Sequence, residues 1–300
     1  MKPEPTPERV GIGLAAIVGA VFLGSVADAS AKWFGTQGYA PTQVVFMRYL
    51  FGLIPMTVFL CHSGLGALYT RRPGLHMFRA LLGFGSIYFF FWGVTLMPLA
   101  EAMAISFTAP LFTTALSRPI LGEHVGIRRW SAVAVGFVGA LVVIRPGTEA
   151  FRPEAALVIA SAFIYAVSMT MTRRMSTTET NVAMFTYTTI GAGLISTPFL
   201  LLSWHTPSLT HLALFSGFGV IEGCASFLLI IAYRNVAAAV AAPFDYTSLV
   251  WGAIFGWVLW GENPDSTVWI GAGIIALAGI YIARRESALK ARGRDHERHQ

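Results

Sequence analysis

Long apolar stretches recur along the whole chain, and short polar segments separate them. A helix needs about 20 apolar residues to cross the bilayer core, and each stretch reaches that length or comes close to it. The pattern predicts an all-α membrane protein with ten transmembrane helices, at 10–34, 41–62, 76–97, 99–121, 127–145, 153–174, 180–203, 209–234, 236–260 and 265–284. These spans use most of the chain, so we expect its function to lie within the membrane.

The composition agrees with this pattern. Of the 300 residues, 55% are hydrophobic and 12% are charged, whereas soluble domains have about 25% charged residues. The polar ends, 1–9 and 285–300, are expected to be a cytoplasmic N-terminal segment and a basic cytoplasmic tail beside anionic lipid. The start resembles a secretory signal peptide, but its apolar run is long and we expect no cleavage. The net charge of +6 fits a membrane surface better than a nucleic-acid partner.

The distribution of basic residues predicts the orientation. If the N-terminus is cytoplasmic and ten spans alternate, the outer loops contain only Arg145 and Arg152, and Lys32 and Arg48 lie inside spans. All other Lys and Arg residues then lie on the cytoplasmic side, as the positive-inside rule requires. We therefore expect a multi-pass protein of the inner (plasma) membrane with both termini in the cytoplasm.

The sequence also contains an internal repeat. Residues 99–130 can be aligned without gaps on residues 238–269, and the Gly-Glu pair at 122–123 then falls on the Gly-Glu pair at 261–262. A shared landmark in register indicates a duplicated unit.

The repeat divides the chain into two units, 10–146 and 147–284, with five spans each. Because five is an odd number, the second unit must enter the membrane inverted relative to the first. Inverted repeats are typical of secondary transporters, which bind substrate near the midplane between the halves. The predicted fold is therefore two inverted five-helix repeats around a central cavity.

One segment carries a family resemblance. The sequence LAEAMAISFTAPLFTTALSRPILGEHVGIRRWSAVAVGFVGALVVIRPG at 99–147 resembles the signature of EamA-type members of the drug/metabolite transporter superfamily, and residues 259–283 repeat its end. The resemblance implies a ten-helix exporter or exchanger of small metabolites, similar to YddG-type amino-acid exporters, riboflavin transporters or S-adenosylmethionine transporters. It also implies that the first four helices of each half line the cavity and that the fifth packs outside.

Four ionisable residues lie near the expected outer ends of their spans: Asp28, Lys32, Arg48 and Glu101. A charge at the centre of an inserted helix costs about 2.5–3.5 kcal/mol, so such residues require partners. Asp28 and Lys32 are four residues apart and are expected to pair on one helical face. The four residues either hold the first, second and fourth helices together, or form an outer gate, or form a site for a substrate carboxylate.

Two further acids, Glu222 and Asp245, are expected at mid-span with no basic residue nearby in the sequence. An unpaired acid at this depth would bind a proton or a substrate ammonium group. The alternative is a protonated acid that is hydrogen-bonded to a helix backbone. The repeat aligns Asp245 with Ser106, which is a further cavity candidate.

Prolines and aromatic residues add weaker indications. Pro110 and Pro243 interrupt the fourth and ninth spans, which the repeat pairs, although the two prolines are six positions apart in the alignment. Broken helices in corresponding spans indicate a transporter site. Four aromatic residues are candidates for the cavity wall, because a mid-membrane tyrosine hydroxyl needs a partner: Tyr88, Trp92, Tyr165 and Tyr246.

The sequence favours a secondary transporter that exports or exchanges small metabolites by alternating access. Amino acids are the preferred substrates, because aromatic walls with acids and bases suit a zwitterion; riboflavin or another metabolite is the alternative, and a channel-like facilitator is a weaker one. An enzyme is not expected, since the seven histidines lie at span ends, in loops or in the tail and no nucleophile motif occurs. We expect no cofactor, no metal site, and a monomer or weak dimer.

Overall fold

The computed structural model describes residues 7–122, 126–148, 151–175, 178–235 and 244–298, and every regular element in these ranges is helical. The α-helices given bounds in these ranges are α1 (Pro7–Thr36), α2 (Pro41–Ser63), α3 (Pro73–Leu96), α4 (Leu99–Ser106), α5 (Ala109–Leu121), α6 (Ile127–Ile144), α7 (Ala155–Met175), α8 (Asn181–Ser203), α9 (Leu209–Asn235), α10 (Thr247–Trp260) and α11 (Ser266–Arg298). A short 3₁₀ helix, Leu65–Leu68, joins α2 to α3.

Within the described ranges, seven helical segments are long and apolar enough to cross a membrane by length and composition: α1, α2, α3, α4 with α5, α7, α8 and α9. Three shorter apolar helices are Trp130–Ile144 in α6, Thr247–Trp260, and Ser266–Ile282 in α11. Together these segments make a multi-pass membrane protein.

The fourth predicted span is divided into two helices. The first helix, α4, ends at Ser106, and the second helix, α5, begins at Ala109 with Pro110 in its first turn. Proline is well tolerated there, because the N–H groups of a first turn have no partner within the helix. The corresponding prediction for Pro243 lies outside the described residues.

The bundle is built from helices that are distant in sequence. The most extensive contacts join α1 to α9, α3 to α7, α2 to α8 and α9, and α6 to α11. At one such contact the Phe34 ring of α1 stacks on the Phe215 ring of α9, with centroids 3.7 Å apart.

Glycine allows α6 and α11 to approach closely. A Cβ atom at Gly139 would lie 2.9 Å from the carbonyl oxygen of Gly271, and one at Gly271 would lie 2.7 Å from the carbonyl oxygen of Gly139. The fifth and tenth predicted spans thus pack against each other backbone to backbone.

Contacts between distant segments mark two opposite ends of the bundle. At the "Glu262 end", the last turns of α1 and α3 meet the start of α4 and the residue after Gly261. At the "Glu179 end", the start of α3 meets the residue before Thr180, the N-cap of α8. The sequence-based orientation assigns the Glu262 end to the outside.

Candidate functional site

A polar cavity of about 330 Å³ lies within the bundle. Its wall comes from α1, the break between α4 and α5, α7, α9 and the segment around the start of α10. The polar residues that line it are Ser25, Asp28, Tyr165, Glu222, Ser226, Asp245 and Ser248.

Carboxylates dominate the charge of this cavity. Asp28, Glu222 and Asp245 all line it, and its lining contains no lysine or arginine among the described residues. Asp28 interacts electrostatically with Glu222, and Tyr165 interacts with both Glu222 and Asp245. Acids gathered in a low-dielectric site repel each other when ionised, so such a site favours an added cation.

Arg48 reaches one of these acids from outside the cavity. It lies on α2, and its Nη2 forms an ion pair with the Glu222 carboxylate on α9. The guanidinium also lies 5.2 Å from the centroid of the Tyr49 ring, within range of a cation–π interaction. Both side chains are largely buried, with 16% and 22% of their surfaces exposed.

A second ion pair lies at the Glu262 end of the bundle. Lys32 of α1 pairs with Glu262 and donates a hydrogen bond to the Met97 carbonyl at 2.8 Å. The other oxygen of Glu262 accepts the backbone N–H of Leu99 at 2.8 Å. Leu99 is the first residue of α4, so this carboxylate caps a helix N-terminus whose N–H groups lack partners within the helix.

Local backbone geometry places the Glu262 carboxylate. Gly261 ends α10 in the left-handed conformation, with φ of 67°, and the N–H of Glu262 then donates to the Gly256 carbonyl at 3.0 Å. Gly256 leaves room for the acid, because a Cβ atom there would lie 2.8 Å from Glu262 Oε2.

Further charges surround the same end. Arg145 binds Asp265 at 2.7 Å and lies 3.9 Å from Glu101, and Arg152 lies 3.6 Å from the other oxygen of Glu101. Arg145 ends α6 with φ of 51°, an uncommon conformation for a residue with a side chain. Its guanidinium thereby joins the start of α4 to the start of α11.

The expected cluster of Asp28, Lys32, Arg48 and Glu101 is therefore wrong as a single group. Lys32 and Glu101 belong to the network at the Glu262 end. Asp28 instead lines the cavity, and Arg48 interacts electrostatically with Asp28. The predicted pairing of Asp28 with Lys32 is also wrong, because Lys32 has nearer partners in Glu262 and Met97.

The expectation of an unpaired Glu222 is likewise wrong. Its partner, Arg48, is 174 residues away in the sequence, so proximity along the chain could not reveal it.

The predicted cavity residues divide into two groups. Tyr165, Glu222 and Asp245 line the cavity, whereas Tyr88, Trp92, Ser106 and Tyr246 do not.

The four residues outside the lining have other contacts. Tyr88 packs on Phe84 and Trp92, and the Ser106 hydroxyl donates to the Met103 carbonyl. The Tyr246 ring packs at a tilt against Phe107, which does line the cavity, with centroids 4.5 Å apart. The helical spacing thus correctly predicted that Tyr88 and Trp92 are neighbours, but the helix face that they share does not line the cavity.

Two acids at the ends of the bundle, Glu262 and Glu179, are not among the residues predicted from the sequence. An acid directly after a helix-ending glycine, as at Glu262, is a signal for a helix cap or an ion pair. His76 Nε2 and Glu179 Oε2 lie 3.1 Å apart at the Glu179 end, both nearly fully buried. The hydrogen bond from His76 holds the pKa of Glu179 below its usual value.

A larger groove of about 570 Å³ lies between α2, α8 and α9. Its wall is mostly apolar and includes Phe59, Phe185 and Phe227, and His62 is its one ionisable imidazole among the described residues. This groove offers no carboxylate to a substrate. In the described part of the chain, no group of three or more His, Cys, Asp and Glu side chains is arranged to hold a metal ion.

Comparisons with known proteins agree with this architecture. The family description "EamA-like transporter family" matches the chain twice, at residues 11–145 and 152–284. The S-adenosylmethionine uptake transporter of Rickettsia prowazekii is 33% identical over 91% of this chain and 92% of its own length. The riboflavin transporter of Rhizobium johnstonii is 29% identical over 93% of each. A protein of known crystal structure, 20% identical, superposes with a TM-score of 0.63 over 93% of this chain and 98% of its own.

Proposed function

The chain belongs to the EamA-like transporter family, and we propose that it carries a small organic cation of the S-adenosylmethionine class. It is a multi-pass membrane transporter of small metabolites and not an enzyme, as its family and relatives are transporters. The proposal concerns which metabolite it moves and how.

The observation that carries the proposal is the acidic wall of the cavity. Asp28, Glu222 and Asp245 line one space of about 330 Å³, and Arg48 is the basic residue paired with one of them. S-adenosylmethionine has a sulfonium, an ammonium and a carboxylate group, and its net positive charge can offset carboxylates that are costly to keep ionised in the membrane. Aromatic side chains such as Tyr165 and Phe107 in the same wall suit its planar base.

The same geometry supports an amino-acid substrate less well. An ordinary zwitterionic amino acid has one ammonium and one carboxylate and therefore no net charge, whereas S-adenosylmethionine has the same two groups and an added sulfonium. Arg48 already pairs with Glu222, and Lys32 pairs with Glu262 at the far end, so the net positive charge of the sulfonium compound suits the acids of the cavity better than a neutral zwitterion does. The names of the relatives also support the alternative of another metabolite over amino acids.

Riboflavin remains the second candidate, because one relative is a riboflavin transporter. It has no positive charge to offer, so its binding would leave buried acids without new partners, which is unfavourable.

Transport in this proposal follows alternating access by two inverted five-helix units. The twofold family match supports the duplication, and the three shorter apolar helices added to the seven long ones are compatible with five spans in each unit. The Lys32–Glu262 pair acts as the outer gate, since it joins α1 and the start of α4 to the end of α10. Both termini then lie in the cytoplasm, and the relative named for uptake supports inward movement of the substrate.

The test is uptake by purified protein in liposomes. Labelled S-adenosylmethionine is compared with S-adenosylhomocysteine, which lacks the sulfonium methyl group and its charge, and with riboflavin. The proposal predicts saturable uptake of S-adenosylmethionine and much slower uptake of the other two. Faster uptake of riboflavin, or equal uptake of the two adenosyl compounds, would contradict it.

A further inference from the structure

The guanidinium of Arg48 is only partly engaged by its carboxylate partner. One nitrogen, Nη2, pairs with Glu222, while Nε is buried and has no hydrogen-bond partner among the described residues. A guanidinium has five N–H donors, and a stable structural pair to a carboxylate is commonly bidentate. Arg48 thus binds Glu222 through one side of its fork only.

The two partners also face the cavity differently. Glu222 lines it, whereas Arg48 approaches the same carboxylate from α2 and does not contribute to the lining. A cation that enters the cavity therefore meets Glu222 in a wall to which Arg48 does not contribute. Asp28 lines the same cavity as Glu222, so a second acid lies in the wall that the cation enters.

We propose that Arg48 is a tethered counter-ion that neutralises Glu222 while the cavity is empty and gives way when a cationic substrate binds. This inference rests on the proposed function, because it requires a cationic substrate. Arg48 is then a specificity-determining residue: the substrate must compete with it for Glu222.

The proposal separates two modes of transport. An empty carrier must return across the membrane, and a bare carboxylate is expensive to keep in the low-dielectric interior. With Arg48 on Glu222 the empty carrier can return, so net transport is possible. Without Arg48 the loaded carrier can still exchange substrate across the membrane, but the empty carrier returns slowly.

The experiment compares wild type and Arg48→Gln in proteoliposomes with labelled S-adenosylmethionine. It measures equilibrium binding, exchange with unlabelled compound inside the vesicles, and net uptake into empty vesicles. We expect Arg48→Gln to bind about tenfold more tightly, which is a modest change for the loss of one competing charge. Exchange should persist, while net uptake falls by about tenfold or more. Arg79→Gln is the matched control, since it removes another partly buried guanidinium whose Nε and Nη1 lack partners among the described residues; it should leave the ratio of exchange to net uptake unchanged.

A histidine variant keeps the test valid if Arg48→Gln does not fold. Arg48→His carries its charge at pH 6 and loses it at pH 8, so its ratio of exchange to net uptake should rise with pH relative to wild type. Two results would overturn the role of Arg48 while leaving the proposed function intact, provided that wild type transports the compound. One is weaker binding by Arg48→Gln, and the other is a loss of both exchange and net uptake in Arg48→Gln. If wild type neither binds nor transports the compound, both proposals fail.

Discussion

Lys32 in α1 and Glu262 after α10 form an ion pair although 230 residues separate them in the sequence. The pair is the centre of a small polar junction, because Lys32 also binds the Met97 carbonyl and Glu262 also binds the Leu99 N–H. Three segments from both parts of the chain are thus held together at one end of the cavity-bearing bundle.

Removing the lysine alone should therefore cost more than removing both charges. Lys32→Met leaves Glu262 without its cation, and loss of one partner from a buried pair costs about 3–5 kcal/mol; the lower end applies, because 18% of the Glu262 side chain is exposed. Lys32→Met with Glu262→Gln should recover part of this loss, since the amide oxygen can still accept the Leu99 N–H. Thermal unfolding in detergent measures the difference, and a double variant less stable than Lys32→Met would disprove the pairing.

Gly256 should be intolerant of a methyl group for the same reason. Gly256→Ala places a Cβ atom 2.8 Å from Glu262 Oε2, so the carboxylate must move away from Lys32 and Leu99. We expect the outer mouth to open more readily, seen as faster modification of a cysteine introduced at Ser25 in a background without native cysteines. Gly217→Ala, where a Cβ atom meets nothing within 4 Å, is the control; equal modification rates in both variants would rule out this role for Gly256.

The buried pair at the Glu179 end should make stability depend on pH. The pKa of Glu179 is lowered in the folded protein, chiefly by the hydrogen bond from His76. The carboxylate therefore adds stability above the usual glutamate pKa of about 4.5, and this contribution is lost as the pH falls through the lower folded value. Glu179→Gln should be less stable than wild type at pH 7 and should lose less stability between pH 5 and pH 3. Parallel unfolding curves for the two proteins across that range would contradict the prediction.

A methyl group should destabilise the protein at a glycine where α6 and α11 touch, and should be tolerated at a glycine of α11 that faces open space. Gly139→Ala brings a Cβ atom to 2.9 Å from the Gly271 carbonyl oxygen, whereas Gly273→Ala meets nothing within 4 Å. Overpacking of this kind typically costs about 1–3 kcal/mol. Unfolding measurements should show a clear loss for Gly139→Ala and little change for Gly273→Ala, and the reverse order would exclude the close backbone contact.

Local patterns in the sequence were sufficient to predict the helical architecture and part of the candidate site. Apolar length predicted the helices because each span must bury its backbone polar groups within itself. Rarity of charge in lipid predicted that Glu222 and Asp245 matter, and the structure places both on the cavity.

Partners and wall assignments could not be predicted in the same way. The pairs of Lys32 with Glu262 and of Arg48 with Glu222 depend on how distant helices pack, which spacing along one helix does not encode. Spacing placed Tyr88 and Trp92 on one face but did not say whether that face meets the cavity. A spacing of four suggested that Asp28 and Lys32 pair, yet partners on other helices were closer.

The most direct test of the central claim, that carboxylates in the cavity select a cation, is the ratio of affinities for S-adenosylmethionine and S-adenosylhomocysteine, measured by calorimetry on wild type and Asp245→Asn. Asp245→Asn keeps the shape of the wall and removes one charge, while Ser248→Ala on the same wall is the control that keeps all three acids. The account predicts that wild type and Ser248→Ala prefer the sulfonium compound by about tenfold or more, and that this preference falls sharply in Asp245→Asn. Equal affinity of wild type for the two compounds, or an undiminished preference in Asp245→Asn, would contradict it.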